Sequence, residues 1–123
     1  MMNKLYYDSY AIIEYVNGNL RYDKYFKDYE GITTLYNVME VYYAILREEN
    51  ELKAKEVLEM LKSIVIYPSF DDIEEAMKFR LRHKLKRFSY ADCLGYILAK
   101  KRNIKFLTGD KGFMDIPNVI FVN

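Results

Sequence analysis

Apolar positions along the chain follow two alternating rhythms. Short runs that are apolar or β-branched predict strands at Asn3 to Tyr7, Gly31 to Thr34, Ser63 to Tyr67, Ile104 to Leu107 and Val119 to Val122. Between them lie stretches with the 3/4 spacing of an amphipathic helix. Leu35, Val38, Met39, Tyr42, Tyr43 and Leu46 mark a helix over 35–46, and Leu52, Val57, Leu58 and Leu61 mark another over 51–61. Ser9 is placed to cap a helix over 10–16 that Asn17-Gly18-Asn19 closes, and a second short helix is expected over 20–26. Phe70 to Leu85 reads as a helix with an acidic first turn and basic last turns, as the helix dipole prefers. Ser89 caps a further helix over 90–101, and Thr108 to Gly112 reads as a turn.

Strands that are hydrophobic on both faces and separated by helices argue for a parallel sheet covered by helices on both sides. About five strands in this order make a small doubly wound α/β fold. At 123 residues the chain fits one domain over 1–123, because halving it would leave neither half a proper core. A composition of 51% apolar and 30% charged residues, with five Gly and two Pro, excludes disorder and low-complexity repeats. The single Cys excludes an internal disulfide and a multi-cysteine zinc site, and points to a reducing compartment. The first residues do not read as a secretory leader, and no apolar stretch approaches the roughly 20 residues of a membrane span. The expectation is a soluble cytoplasmic protein that does not enter the membrane.

The formal net charge of +1 conceals a strong asymmetry. From Lys78 to Arg87 there are six Lys or Arg, one His and no carboxylate, whereas Glu48 to Glu59 carries five Glu against two Lys. Such a basic segment is either a solvated helix face or a contact for a polyanion.

In open parallel sheets, ligands sit beyond the carboxyl ends of the strands. Asp8 follows the first expected strand, and Glu40 lies one turn into the helix that follows the second. Asp92 lies near the start of the helix before the fourth strand, and Asp110 follows that strand. Successive acids are 32, 52 and 18 residues apart, so only tertiary structure can gather them. Each has an ordinary account: Asp8 as a helix cap, Asp92 as a first-turn acid, Asp110 as a turn residue. Glu40 is harder to explain that way. It lies among Tyr36, Met39, Val41 and Tyr43, and no Lys or Arg occurs between Lys27 and Arg47 to neutralise it locally.

Four segments carry a family resemblance. Tyr7-Asp8-Ser9-Tyr10-Ala11-Ile12-Ile13, Asn37-Val38-Met39-Glu40, Ser89-Tyr90-Ala91-Asp92-Cys93 and Phe106-Leu107-Thr108-Gly109-Asp110-Lys111-Gly112-Phe113 resemble, in order and spacing, the four acidic blocks of the PIN domain. The chain is most similar to stand-alone VapC-type toxins of prokaryotic toxin–antitoxin pairs, over Lys4 to Val122. The resemblance implies a three-layer α/β/α fold with a central parallel sheet. It also implies a metal-dependent endoribonuclease acting on single-stranded or loop RNA and leaving 5′-phosphate and 3′-hydroxyl ends. Asp8 and Asp92 would ligate the metal, Asp110 would bind directly or through water, and Glu40 would hold a second ion or orient the attacking water. Ser9 and Thr108 would support these carboxylates as donors. A small antitoxin partner and a homodimer formed through helices near Leu35 to Leu61 are further implications. Many relatives carry a polar or acidic residue where this chain has Gly112; Asp115 is an alternative fifth acid, or a plain loop residue.

The residue chemistry is compatible with this. Carboxylates without His or Cys form a hard-oxygen site suited to Mg²⁺ or Mn²⁺. One His leaves no Ser-His-Asp arrangement, and no phosphate-binding glycine loop is present. His83 lies in the basic stretch, and Cys93 reads as a core residue. Arg80, Arg82, Lys84, Lys86 and Arg87 are the expected phosphate contacts, with two or three of the thirteen Tyr available for stacking bases. A catalytically idle RNA- or partner-binding module is the alternative, although such a module would be expected to lose some of the acids. A phosphoryl-accepting receiver-like domain fits less well, because Tyr7-Asp8-Ser9 lacks an adjacent acid pair.

Overall fold

The computed structural model describes residues 3–123. Five strands form one sheet: β1 (Lys4–Tyr7), β2 (Glu30–Thr34), β3 (Val65–Ile66), β4 (Lys105–Thr108) and β5 (Val119–Phe121). They lie in the order β3-β2-β1-β4-β5, and every pairing is parallel. The helices are α1 (Ser9–Val16), α2 (Asp23–Lys27), α3 (Leu35–Glu48), α4 (Glu51–Leu61), α5 (Phe70–Arg82) and α6 (Tyr90–Lys101).

The two-residue period of a strand builds two cores, one on each side of the sheet. Leu5 and Tyr7 of β1 and Leu107 of β4 pack with Ile12, Val41, Ile45 and Leu61 of α1, α3 and α4. Tyr6 and Phe106, paired across β1 and β4, face the opposite way and pack with Phe79, Tyr96, Phe88 and Phe113. The outcome is the three-layer α/β/α arrangement. Among the described residues, no helix is long and apolar enough to cross a membrane.

The helices over 51–61 and 90–101 have the bounds their periodicity predicts, whereas other segments differ for local reasons. Asp8, not Ser9, caps α1: its carboxylate accepts the Ala11 amide at 2.8 Å, and Ser9 becomes the first helical residue. The short helix over 20–26 divides into a 3₁₀ turn at Leu20–Tyr22 and α2, because Tyr22 is wholly buried and its hydroxyl reaches the Val122 carbonyl at 2.7 Å. The strand expected over 63–67 contracts to Val65–Ile66 at the sheet edge, since Lys62–Ile64 continue from α4 as a 3₁₀ turn.

The basic helix expected to reach Leu85 stops at Arg82. A 3₁₀ turn follows at Lys84–Lys86, and Arg87 adopts a left-handed conformation with φ 58°. This reversal brings Phe88 back into the core, where its ring stacks on Phe113 with centroids 4.1 Å apart. Burying an aromatic side chain of this size stabilises the fold by about 1.5–3 kcal/mol, more than a continued exposed helical turn offers.

Candidate active site

Strand order reverses between β1 and β4. In a doubly wound sheet that reversal opens a crevice at the carboxyl ends of the two strands. Asp8 directly follows β1, Thr108 ends β4, and Asp110 lies two residues beyond.

Asp8 is 1% exposed, with its amide donating to the Leu107 carbonyl at 3.3 Å and its carboxylate held by the Ala11 amide. Burial pushes this carboxyl well above the usual aspartate range, and the charges of Asp92 and Asp110 push in the same direction. Bonds from the Thr108 side chain and the Ala11 amide oppose the rise without cancelling it.

Asp92 is set by the Ser89 capping box of α6. The Ser89 amide donates to Asp92 Oδ2 at 2.9 Å, and the Asp92 amide donates to Ser89 Oγ at 3.0 Å. Its carboxyl is raised to about 6, chiefly by desolvation and further by the charges of Glu40 and Asp110. Asp110 accepts the Gly112 amide at 2.9 Å, while its own amide donates to Thr108 Oγ1 at 3.0 Å. Thr108 Oγ1 therefore accepts from the Asp110 backbone, and its side chain favours the charged form of Asp8.

Glu40 is half-buried on α3 and accepts a 2.5 Å hydrogen bond from Ser9 Oγ. Behind this bond lies a polar chain that crosses the core. Asn37 Nδ2 donates to Ser9 Oγ at 3.0 Å, and Asn37 Oδ1 accepts from the Tyr6 hydroxyl and from Thr34 Oγ1. Tyr6, Thr34 and Asn37 are fully buried, so these bonds satisfy polar groups that water does not reach.

Tyr6, Thr34 and Asn37 support the candidate site without a role legible in the sequence, although Asn37 opens the segment that ends at Glu40. The available signal was Asn37 standing three residues before Glu40, on the same helical face and just after the β-branched strand end. Gly109, read from sequence only as part of a turn, has a packing role. A Cβ there would lie 2.3 Å from the Tyr10 ring and 2.4 Å from the Tyr22 hydroxyl, so only glycine fits between Thr108 and Asp110.

The charges of Asp92 and Asp110 act on Asp8, and those of Glu40 and Asp110 act on Asp92, so Asp92 joins Glu40 to the two acids at the strand ends. Among the described residues, none of the four is paired with Lys, Arg or His. Nor, among those residues, do three acidic, His or Cys side chains form a ready-made metal cage. The fit to a hard divalent cation therefore rests on donor chemistry. It is an all-oxygen set without a paired cation among the described residues, in which burial and neighbouring charge raise the proton affinity of Asp8 and Asp92.

The basic residues divide into two groups. Arg80 Nε donates to the Phe88 carbonyl at 2.9 Å, and its guanidinium lies 4.9 Å over the Tyr90 ring. Lys86 Nζ binds the Gly112 carbonyl at 3.0 Å and pairs with Asp115. These two brace the fold, whereas Arg82, Lys84 and Arg87 are exposed and form no ion pair among the described residues. Asp115 belongs with Lys86, which holds its carboxyl below the usual range.

Position 112 is closed to a side chain for a visible reason: a Cβ there would meet the Phe88 ring at 2.9 Å, with Asp110 Oδ1 3.4 Å away. His83 is half-buried against Phe79, ring centroids 4.4 Å apart, with Nδ1 3.0 Å from the Phe79 carbonyl. Cys93 is buried, and desolvation pushes its thiol up to about 12, far from a nucleophile's range.

Known structures share this fold. A toxin–antitoxin complex from Klebsiella pneumoniae superposes with a TM-score of 0.74 at 18% identity, covering 94% of this chain and 95% of that one. VapBC2 from Rickettsia felis, bound to a DNA fragment from its promoter, gives 0.71 at 16% identity, with 98% of each chain covered. VapC20 from Mycobacterium tuberculosis, a toxin that cleaves the sarcin–ricin loop, gives 0.70 at 15% identity, covering 85% of this chain and 86% of that one. At these identities the likeness is one of fold. No curated protein matches by sequence. The sequence profile of the PIN domain matches residues 5–119, a span that contains all four acids, and the chain belongs to the PIN-domain family.

Proposed function

We propose that this chain is a divalent-metal-dependent endoribonuclease that hydrolyses phosphodiester bonds of single-stranded or loop RNA, and that it is the toxin of a toxin–antitoxin pair. One observation supports the reading: Asp8 after β1, Glu40 on α3, Asp92 on α6 and Asp110 after β4 are linked by their mutual charge at the strand-order reversal of a PIN-domain sheet, with no ion pair to a cation among the described residues. Asp8 and Asp92 would hold Mg²⁺ or Mn²⁺, with Asp110 bound directly or through water. Such an ion, when bound, supplies positive charge against the phosphate and the leaving oxygen and acidifies a water.

The chain's own groups do the rest. Glu40, aimed by Ser9, orients the attacking water or takes up its proton. Thr108 anchors the Asp110 backbone and favours the charged form of Asp8. Arg82, Lys84 and Arg87 offset the repulsion between the acids and the RNA backbone. The antitoxin assignment is supported by the toxin–antitoxin complexes among the structures of the same fold. A homodimer is supported by exposed Met39, Tyr43, Leu46 and Leu52 on α3 and α4.

The test is cleavage of a labelled mixed-sequence single-stranded RNA in Mn²⁺, Mg²⁺ and EDTA, beside the Asp8→Asn protein. Cutting that needs the metal and disappears in the variant is expected. Equal cutting by Asp8→Asn and Asp92→Asn would overturn the assignment. No cutting with any metal, together with no calorimetric uptake of Mn²⁺, would leave the idle binding module.

A further inference from the structure

Beside the acids lies a feature that the nuclease chemistry does not use. Tyr36, Ile73, Ala76, Met77, Tyr90 and Leu94 line an apolar slot of about 190 Å³ between the start of α3, α5 and the start of α6. Tyr36 stands four residues before Glu40 on the same helix, and Tyr90 two residues before Asp92. The slot therefore lies one helical turn from Glu40 along the same face of α3, and at the end of α6 that carries Asp92. Tyr36 and Tyr90 are 45% and 68% exposed, so both rings are open to a ligand.

We propose that this slot is a nucleobase subsite, taking one unstacked base of the RNA next to the scissile phosphate. The inference rests on the ribonuclease reading and names part of its substrate contact. An opening with a tyrosine on each side and an aliphatic floor suits a flat, weakly polar ring, and single-stranded RNA is held by splaying bases onto such aromatic faces. Charge selects a nucleotide over an apolar peptide side chain. The Arg80 guanidinium lies over Tyr90, fixed there by the Phe88 carbonyl, and exposed Arg82, Lys84 and Arg87 follow it. A polyanion whose base enters the slot meets the Arg80 guanidinium at its Tyr90 side, with the other cations further along the same segment.

The experiment measures binding of a fluorescently labelled short mixed-sequence RNA by anisotropy, with Asp8→Asn as the uncut background. A second probe has the same backbone with abasic positions, which retain the phosphates and remove the rings. Tyr90→Ala and Tyr36→Ala are each expected to weaken binding of the intact RNA about tenfold, the usual scale for one lost stacking contact. Tyr90→Phe should retain affinity, and the abasic probe should bind weakly and be indifferent to all three substitutions.

Equal affinity for both probes, unchanged in the alanine variants, would overturn the subsite while the nuclease reading stands. Failure to bind either probe would overturn both. Sedimentation in which Tyr90→Ala dissolves a dimer, with RNA affinity unchanged, would assign the slot to a second copy of the chain and overturn the base subsite.

Discussion

Ser9 Oγ donates to Glu40 Oε1 at 2.5 Å, linking the first residue of α1 to the second turn of α3. The hydroxyl is oriented from behind by Asn37 Nδ2, so the carboxylate is aimed by a chain of bonds that begins at Tyr6 in the central strand. Ser9→Ala should leave the fold intact and lower RNA cleavage by about 10–100-fold, the range for groups that orient site ligands. Single-turnover cleavage at saturating Mn²⁺ checks this; an unchanged rate would remove Ser9 from the machinery.

Asp8 is a buried charge at a position where asparagine caps a helix equally well. In EDTA, Asp8→Asn should raise the melting temperature while abolishing cleavage, because it removes an uncompensated carboxylate and keeps the cap. Circular dichroism melts of the two proteins side by side test it. A lower melting temperature for the variant would mean that the carboxylate itself holds the fold.

The raised Asp92 carboxyl sets a pH dependence. Its folded value of about 6 exceeds the unfolded 3.8, so the folded state binds the extra proton between them. The corresponding stability is fully present below the unfolded value and is lost as pH rises through about 6, a change of roughly 3 kcal/mol from this group. Buried Asp8 contributes in the same direction. Thermal melts in EDTA should accordingly decline from acid to neutral pH. Added Mn²⁺ should raise the melting temperature at neutral pH and have little effect in acid, where protons compete for the same oxygens.

The basic segment should separate by function. Arg82→Ala, Lys84→Ala and Arg87→Ala are expected to weaken RNA binding and each reduce the salt slope by about 1, as loss of a phosphate contact does. Lys86→Ala should instead lower the melting temperature, because Lys86 ties the turn after α5 to Gly112 and Asp115. Salt titrations of RNA affinity, paired with melts, distinguish the two groups.

Gly109→Ala should destabilise the protein by about 1–3 kcal/mol, the usual cost of overpacking. A methyl group there is forced against Tyr10, Tyr22 and the Val122 carbonyl. Urea titration gives the value, and because Thr108 and Asp110 flank this residue, cleavage should fall with it.

The parallel α/β layering was legible because β1 and β4 alternate inward residues in consecutive pairs, Leu5 with Tyr6 and Phe106 with Leu107, a pattern only a doubly covered strand tolerates. The acids were legible because they occur at strand ends and helix starts, which sequence marks well. The bonds that orient them were not. Asn37 reads as an unremarkable polar residue until the fold buries it against Ser9 and Tyr6 from another element. The basic run likewise reads as one charged surface. Only the chain reversal that buries Phe88 separates bracing Arg80 and Lys86 from the exposed Arg82, Lys84 and Arg87. Local pattern encodes elements; it does not encode which side chain another element will claim.

The strand order has a consequence for how the protein is made. β1 is translated first, yet its neighbour on one side is β4, so Asp8 leaves the ribosome long before Thr108 and Asp110 exist to meet it. A nascent chain has no complete set of candidate acids until β4 has emerged and docked against β1, so the proposed chemistry cannot begin while the sheet is still being synthesised.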